Sequence, residues 1–101
     1  MIPGADIVRE MACTRCEFER WLPGATRNAL IRSRQQGDDV EHSIVTAGGT
    51  LTITSTELPP RRIALLRMPL LRVRFHFVDM DAALRTDFMH YFDLYTRRGG
   101  G

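Results

Sequence analysis

Arginine is concentrated in one part of the chain. Five arginines fall within the fourteen residues from Arg61 to Arg74, and this stretch contains no aspartate or glutamate. Alternating apolar and polar residues at 70–78 predict a β-strand on which Arg72, Arg74 and His76 share one face. The guanidinium group presents a planar fork of N–H donors, which suits phosphate and carboxylate groups. The predicted anion-binding residues are Arg61, Arg62, Arg72, Arg74 and His76.

Two interpretations of this surface stay open. The arginines either solvate an outer sheet face and block edge pairing, or they bind an acidic protein surface, a nucleotide or a phosphate group. Nucleic acid is a less expected partner, because Phe75 and Phe77 of the same strand alternate onto the opposite face and are not placed to stack on bases there. The whole chain, with fourteen arginines, no lysine and twelve acidic residues, has a net charge of only +2.

Cys13 and Cys16 form a single Cys-x-x-Cys motif. Such a pair supplies half of a tetrahedral zinc site, and cysteines with a lowered thiol pKa carry redox chemistry. We expect Arg9 and Arg20 to lower the pKa of these thiols if they share a helix. Further metal ligands would have to come from His42, His76 or His90. Three alternatives therefore remain: thiols without a function, a metal site, or a redox centre.

The sequence lacks the patterns typical of catalytic centres. It contains no phosphate-binding loop, no Gly-x-Ser-x-Gly and no His-Glu-x-x-His. The acidic pairs Asp38-Asp39 and Asp79/Asp81 are typical of a connection and a helix cap. No serine or cysteine is placed beside a histidine that could activate it. We therefore predict a protein that binds a partner, is not an enzyme and uses no cofactor.

Length and composition predict one small domain at 1–101, ending in a flexible glycine tail at 99–101. Hydrophobic residues make up 44% of the 101 residues, which is ordinary for a folded protein. No apolar run approaches the roughly 18 residues needed to span a membrane, so no insertion is expected. The first residues do not resemble a signal peptide, and with only two cysteines we expect a cytoplasmic protein. A modest core and open strand edges also favour homo-oligomerisation.

Hydrophobic periodicity predicts an α+β fold with the order helix, helix, four strands, helix. The two N-terminal helices are expected at Asp6–Leu22, ended by Pro23-Gly24, and from Thr26 to Gln36. A mainly antiparallel four-stranded sheet is expected from strands at 42–46, 50–56, 61–67 and 70–78. Turns or breaks are expected at 47–49, Pro59-Pro60 and Met68-Pro69.

The final, C-terminal helix is amphipathic and has the clearest pattern. Asp79 or Asp81 is placed to cap it. Two pairs with favourable i,i+4 spacing, Asp81–Arg85 and Asp93–Arg97, are predicted on its surface. Its apolar stripe consists of Leu84, Phe88, Tyr91, Phe92 and Tyr95.

Two segments of the chain are similar to parts of a known family. Residues 73–81 and the helix after them, with apolar residues at Leu84, Phe88 and Tyr91, resemble the closing strand and helix of PilZ domains. Residues 44–49 are similar to its Asp-x-Ser-x-x-Gly turn: Gly49 matches, while Ile44 and Thr46 replace the Asp and the Ser. The family's Arg-x-x-x-Arg motif is absent, and the arginines in that region are Arg27, Arg32 and Arg34. The resemblance implies a divergent adaptor that binds cyclic di-GMP in bacterial signalling.

Overall fold

A computed structural model describes residues 6–97 as five strands and two helices. In chain order these are β1 (Asp6–Met11), α1 (Arg15–Ala25), β2 (Leu30–Gln36), β3 (Asp39–Thr46), β4 (Gly49–Ile63), β5 (Leu66–Phe77) and α2 (Ala82–Arg97). The strands form one antiparallel sheet in the order β1-β5-β4-β3-β2. The α+β class is confirmed, whereas two N-terminal helices and four strands are wrong. The predicted tail at 99–101 lies outside the described residues.

The predicted helix over Asp6–Leu22 is wrong because it joins two different elements. Exposure alternates residue by residue along β1, where Ile7 and Met11 pack against the core. Thr14 then starts α1 with a capping box: its hydroxyl accepts the Glu17 backbone N–H at 3.1 Å, and the Glu17 carboxylate accepts the Thr14 N–H at 2.9 Å. A spacing of four residues between Ile7 and Met11 fits a strand and a helix equally well. Pro23 and Gly24, predicted to end the helix, lie inside α1.

The predicted second helix, from Thr26 to Gln36, is also wrong. Thr26 ends α1 instead of starting a helix, and 30–36 is the edge strand β2, paired along its length with β3. Gly37, at φ +63°, allows the tight turn between the two strands. No residue of β2 is buried. The strand predicted at 42–46 begins earlier, at Asp39, so that Asp38 stays in the turn while Asp39 belongs to β3.

The predicted breaks at the prolines do not end the strands. β4 runs past Pro59 and Pro60 with a register shift between Leu58 and Arg61, and β5 runs through Pro69. β3 pairs with β4 only as far as Thr56, so the prolines of β4 lie on an open edge. A missing backbone N–H is tolerated at such an edge. The strand predicted at 61–67 is therefore the tip of the β4–β5 hairpin, while the hairpin with its turn at 47–49 is confirmed.

Both helices pack against the same face of the sheet. The predicted inward set on β5 is confirmed, because Leu71, Val73, Phe75 and Phe77 are at most 1% exposed. Phe75 packs edge-to-face with Phe92 of α2, with ring centroids 4.9 Å apart. Further buried residues are Phe18, Leu22 and Ala25 of α1, Ile44 of β3, Leu51 and Ile53 of β4, and Met89 of α2.

α2 matches its prediction in position and cap, since the backbone N–H of Leu84 donates to Asp81 Oδ1 at 2.9 Å. The predicted i,i+4 ion pairs do not form. Asp93 instead pairs with Arg9 of β1 at 3.3 Å, and the Arg85 guanidinium donates to the Met80 carbonyl at 2.8 Å. The first contact connects α2 to β1, and the second connects α2 to the segment that precedes it. Within 6–97, neither helix is both long enough and apolar enough to cross a membrane.

Candidate functional site

The sheet face opposite the helices carries three rows of side chains, set by the cross-strand register. The first row consists of Asp6, His76, Thr52, Ser43 and Arg32. The second row consists of Val8, Arg74, Thr54, Glu41 and Arg34, and the third of Glu10, Arg72, Thr56, Asp39 and Gln36. Acids of β1 thus lie beside the cations of β5, and Glu41 of β3 lies beside Arg34 of β2. Charge on this face is largely balanced by its own neighbours.

Three of the predicted binding residues lie on this face, each next to an acid. Arg74 Nε donates to Asp6 Oδ2 at 3.0 Å, a second guanidinium nitrogen contacts the same oxygen, and His76 Nδ1 lies 2.5 Å from Asp6 Oδ1. Hydrogen bonds from His76 and then Arg74 hold the pKa of Asp6 below its ordinary value. Arg72 lies 4.0 Å from Glu10. An anion approaching these residues would have to compete with carboxylates already in place.

The other two predicted residues, Arg61 and Arg62, lie elsewhere. β3 leaves β4 after Thr56, and β1 pairs with β5 only from Leu71 onward. Residues 58–70 therefore extend beyond the rest of the sheet as a two-stranded ribbon, which we call the arm. The molecule measures 47 × 30 × 22 Å along its principal axes, in keeping with such an extension. The structure thus separates Arg61 and Arg62 from Arg72, Arg74 and His76.

The arm has two chemically different sides. One side carries the cross-strand pairs Leu58–Leu70, Arg61–Met68 and Ile63–Leu66, and the other carries Arg62 opposite Arg67. At the tip, Ile63 is 50% exposed, Leu66 is 69% exposed, and Leu65 is fully exposed. Several exposed apolar side chains on a protruding element are typical of an interaction site.

The arginines of the arm have no counter-charge in the fold. Arg61, Arg62 and Arg67 form no ion pair with any residue of the 6–97 segment. Arg62 and Arg67 lie directly opposite one another, an arrangement of like charges that destabilises a strand pair. The arm contains three arginines and no acid, whereas the rest of the described chain contains ten arginines and twelve acids. Positive charge is therefore concentrated on the arm.

Arg15 anchors the base of the arm. Its side chain is only 16% exposed. Nε donates to the buried Ser55 hydroxyl at 3.1 Å and Nη2 to the Ser55 carbonyl at 2.9 Å. Nη2 also donates to the Asp38 carbonyl at 3.0 Å, and Nη1 to Glu57 Oε1 at 3.1 Å. The sequence gives no signal for this residue, because its partners lie 23 to 42 positions away.

The two cysteines occupy different environments. Cys13 is buried and Cys16 is exposed, and both are free thiols. Burial first, and then the nearby Glu17 carboxylate, raise the pKa of the Cys13 thiol to about 11. The expected lowering of its pKa by arginines is wrong, because the side chain enters the core instead of a basic helix face. Within residues 6–97 no cluster of three or more potential ligands is arranged to hold a metal ion.

The three histidines have different environments. His76 contacts Asp6, and His90 is exposed on α2. His42 is buried, with Nδ1 2.6 Å from the Ser33 hydroxyl, while its Nε2 has no hydrogen-bond partner among the described residues and lies 3.9 Å from Glu19 Oε2. Burial lowers the pKa of His42, so its neutral form is favoured.

A surface cavity of about 500 Å³ lies at the end of the sheet opposite the arm. Three segments build it: the α1–β2 connection, the β3–β4 turn, and 80–91. Arg27 at its rim lies 4.2 Å from the Tyr91 ring centroid and 3.5 Å from Asp87. Arg27 and Asn28 both have left-handed backbone angles, φ +57° and +60°. The apolar lining of the cavity includes Leu30, Val45, Met80, Leu84 and Phe88. Sequence reasoning missed this site because its parts are distant in the chain.

The segments that resemble PilZ domains fall on the β3–β4 hairpin, on β5 and on α2. Of the arginines assigned to the resemblance, Arg27 lines the cavity, whereas Arg32 and Arg34 lie on the outer face of β2. Arg34 pairs with Glu41 at 3.1 Å. No protein-family model, curated protein or solved structure matches the chain.

Proposed function

We propose that this protein is a non-catalytic binding module whose arm recognises an acidic surface on a partner protein. The observation that carries this proposal is the pair Arg62 and Arg67, which face each other across the arm without a counter-charge. A carboxylate from outside would relieve their repulsion. Of the predicted anion-binding residues, this proposal keeps Arg61 and Arg62, and it adds Arg67.

The arm is a better candidate than the outer sheet face because of its unbalanced charge. Arg74 on the sheet face is already paired with Asp6, and Arg72 lies near Glu10. Replacing one exposed ion pair by another yields little binding energy, since water and salt screen both pairs. The arm has no acid to displace, and its clustered charge would also steer an acidic partner towards it.

The composition of the arm favours a protein over a phosphate or a nucleic acid. Ile63, Leu65 and Leu66 lie beside the arginines and need an apolar surface to cover them. Protein interfaces commonly combine an apolar centre with a charged rim. The arm contains no aromatic residue on which bases could stack.

Binding of fluorescently labelled probes tests this proposal. The main probe is a peptide of alternating glutamate and leucine, and the comparison probes are inorganic phosphate as a competitor, cyclic di-GMP and a DNA duplex. We expect the triple variant Arg61→Gln/Arg62→Gln/Arg67→Gln to bind the peptide roughly tenfold more weakly, because three exposed charge pairs of about 0.5 kcal/mol each give roughly 1.5 kcal/mol. Higher salt should weaken wild-type binding more than that of the variant.

The matched control is Arg72→Gln/Arg74→Gln, which removes arginines that the fold already neutralises. It should bind within about twofold of wild type. Loss of binding in this control with binding kept in the arm variant would move the site to the sheet face and contradict the proposal. A response to cyclic di-GMP alone, centred on Arg27, Arg32 and Arg34, would instead support the cyclic-dinucleotide adaptor. Metal analysis of protein purified without chelator tests the Cys13–Cys16 alternative.

A further inference from the structure

The arm and the cavity lie at opposite ends of the molecule. β4 begins at Gly49, next to the β3–β4 turn that lines the cavity, and ends at Ile63 in the tip of the arm. Fifteen extended residues span roughly 50 Å, comparable to the 47 Å long axis of the molecule. One end of the molecule therefore projects a narrow element, and the other end offers a recess.

The two ends are complementary in apolar character. The tip of the arm exposes Leu65 and Leu66, and the cavity exposes Leu30, Val45 and Leu84 at 63%, 50% and 41%. A volume of about 500 Å³ lies within the roughly 300–1,000 Å³ typical of recesses that enclose most of a ligand. Covering both surfaces at once would remove most of the large exposed apolar side chains at the two ends from water.

The two ends are also complementary in charge. Asp79 and Asp81 flank Met80, which lines the cavity, and both are exposed. Neither forms an ion pair within the described part of the chain, whereas Asp87 already pairs with Arg27. The basic end of one molecule thus carries Arg62 and Arg67 without ion-pair partners within residues 6–97. The opposite end carries two acids that also have no ion-pair partner in that range, although Asp81 accepts the capping N–H of Leu84.

We propose that the chain assembles with itself head to tail, with the tip of one arm seated in the cavity of the next copy. Arg62 and Arg67 then meet Asp79 and Asp81 of that copy. This inference rests on the proposed function, because the second copy supplies the acidic partner. Such a contact joins two different surfaces, so repeating it closes a ring or extends a filament.

Association of two arms with each other is less favourable. It would bring six arginines together with no acid between them. Strand addition along the arm is hindered as well, because Pro59, Pro60 and Pro69 lack the backbone N–H that an added strand requires. The chemistry of the arm therefore favours the cavity end of another molecule.

Sedimentation velocity tests this assembly. Wild-type protein, examined at low salt from about 5 µM to about 500 µM to bracket a weak interface, should show a mass that rises with concentration. Leu65→Asp in the arm and Leu30→Arg at the cavity should each abolish the rise while circular dichroism stays unchanged. Val8→Asp is the matched control, since Val8 is an exposed apolar residue of the sheet face away from both ends. It should assemble as wild type does.

A mixture of the two defective variants gives the sharpest result. Leu65→Asp keeps an intact cavity and Leu30→Arg keeps an intact arm, so the mixture should form one-to-one dimers and nothing larger. Assembly that persists in Leu30→Arg alone would overturn the head-to-tail arrangement, as would monomeric wild-type protein across the whole range. If the wild type stays monomeric but its arm still captures the acidic peptide, this inference fails and the proposed function stands. If peptide binding is independent of the arm, the proposed function fails.

Discussion

Replacing Arg15 with alanine should destabilise the protein substantially, because one nearly buried guanidinium joins three parts of the fold. The bonds to the Ser55 hydroxyl and carbonyl are part-buried, at 3.1 and 2.9 Å. Hydrogen bonds to charged groups contribute about 1.5–3 kcal/mol. The contacts with Asp38 and Glu57 are exposed and contribute under about 1 kcal/mol together. Allowing for non-additivity, we expect a loss of about 3 kcal/mol in the free energy of unfolding.

Urea unfolding of Arg15→Ala, Arg15→Lys and Arg20→Ala measures this loss. Arg20→Ala is the matched control, because Arg20 is an exposed arginine of the same helix and makes no hydrogen bond within the described residues. It should change stability by less than about 0.5 kcal/mol. Lysine keeps the charge but not the planar fork, so Arg15→Lys should lie between the other two. Equal stabilities of Arg15→Ala and Arg20→Ala would refute the assignment of Arg15 as an anchor.

Two further predictions concern the interior and a turn. Because burial lowers the pKa of His42, this residue binds a proton more readily in the unfolded chain than in the folded one. The stability that depends on neutral His42 should therefore be fully present above pH 6.5 and decrease as the pH drops below it. His42→Leu should lose this slope in urea unfolding at pH 7 and pH 5, and an unchanged slope would contradict the assignment. Gly49, at φ +142°, leaves no room for a Cβ because of the Asp79 carbonyl oxygen. Gly49→Ala should therefore lower the free energy of unfolding by about 2 kcal/mol or more. Gly37→Ala should lower it by about 1 kcal/mol, because φ is +63° there but the surrounding space is open. Equal losses of stability for the two substitutions would contradict the prediction that the Asp79 carbonyl oxygen excludes a Cβ at position 49.

The strongly periodic segments could be predicted from the sequence, because a single physical signal decided them. The alternation at 70–78 placed Leu71, Val73 and Phe75 in the core, and the apolar stripe with its cap located α2. The two N-terminal helices could not be predicted correctly. The spacing of the apolar residues Ile7 and Met11 fits a strand and a helix alike. β2 is largely exposed, and its pairing with β3 determines that it is a strand.

The functional surface could be predicted only in part. The arginine-rich stretch was visible in the sequence, and the shared face of Arg72, Arg74 and His76 was correct. Their acidic neighbours were not visible, because β1 reaches β5 from the other end of the chain. The continuity of the arm was hidden too, since Pro59-Pro60 is typical of a break unless the strand has an open edge. The cavity needed three distant segments to be brought together.

The most direct test of the central claim is an amide NMR titration of wild-type protein with the acidic peptide. We expect the largest shifts within 58–70, with Arg62 and Arg67 foremost, and further shifts at the tip around Leu65. The amide signals of Arg72, Arg74 and His76 should shift little, because the side chains of these residues are already paired with Asp6 and Glu10. Large shifts at 72–76 with an unmoved arm would contradict the proposal that the arm is the binding element.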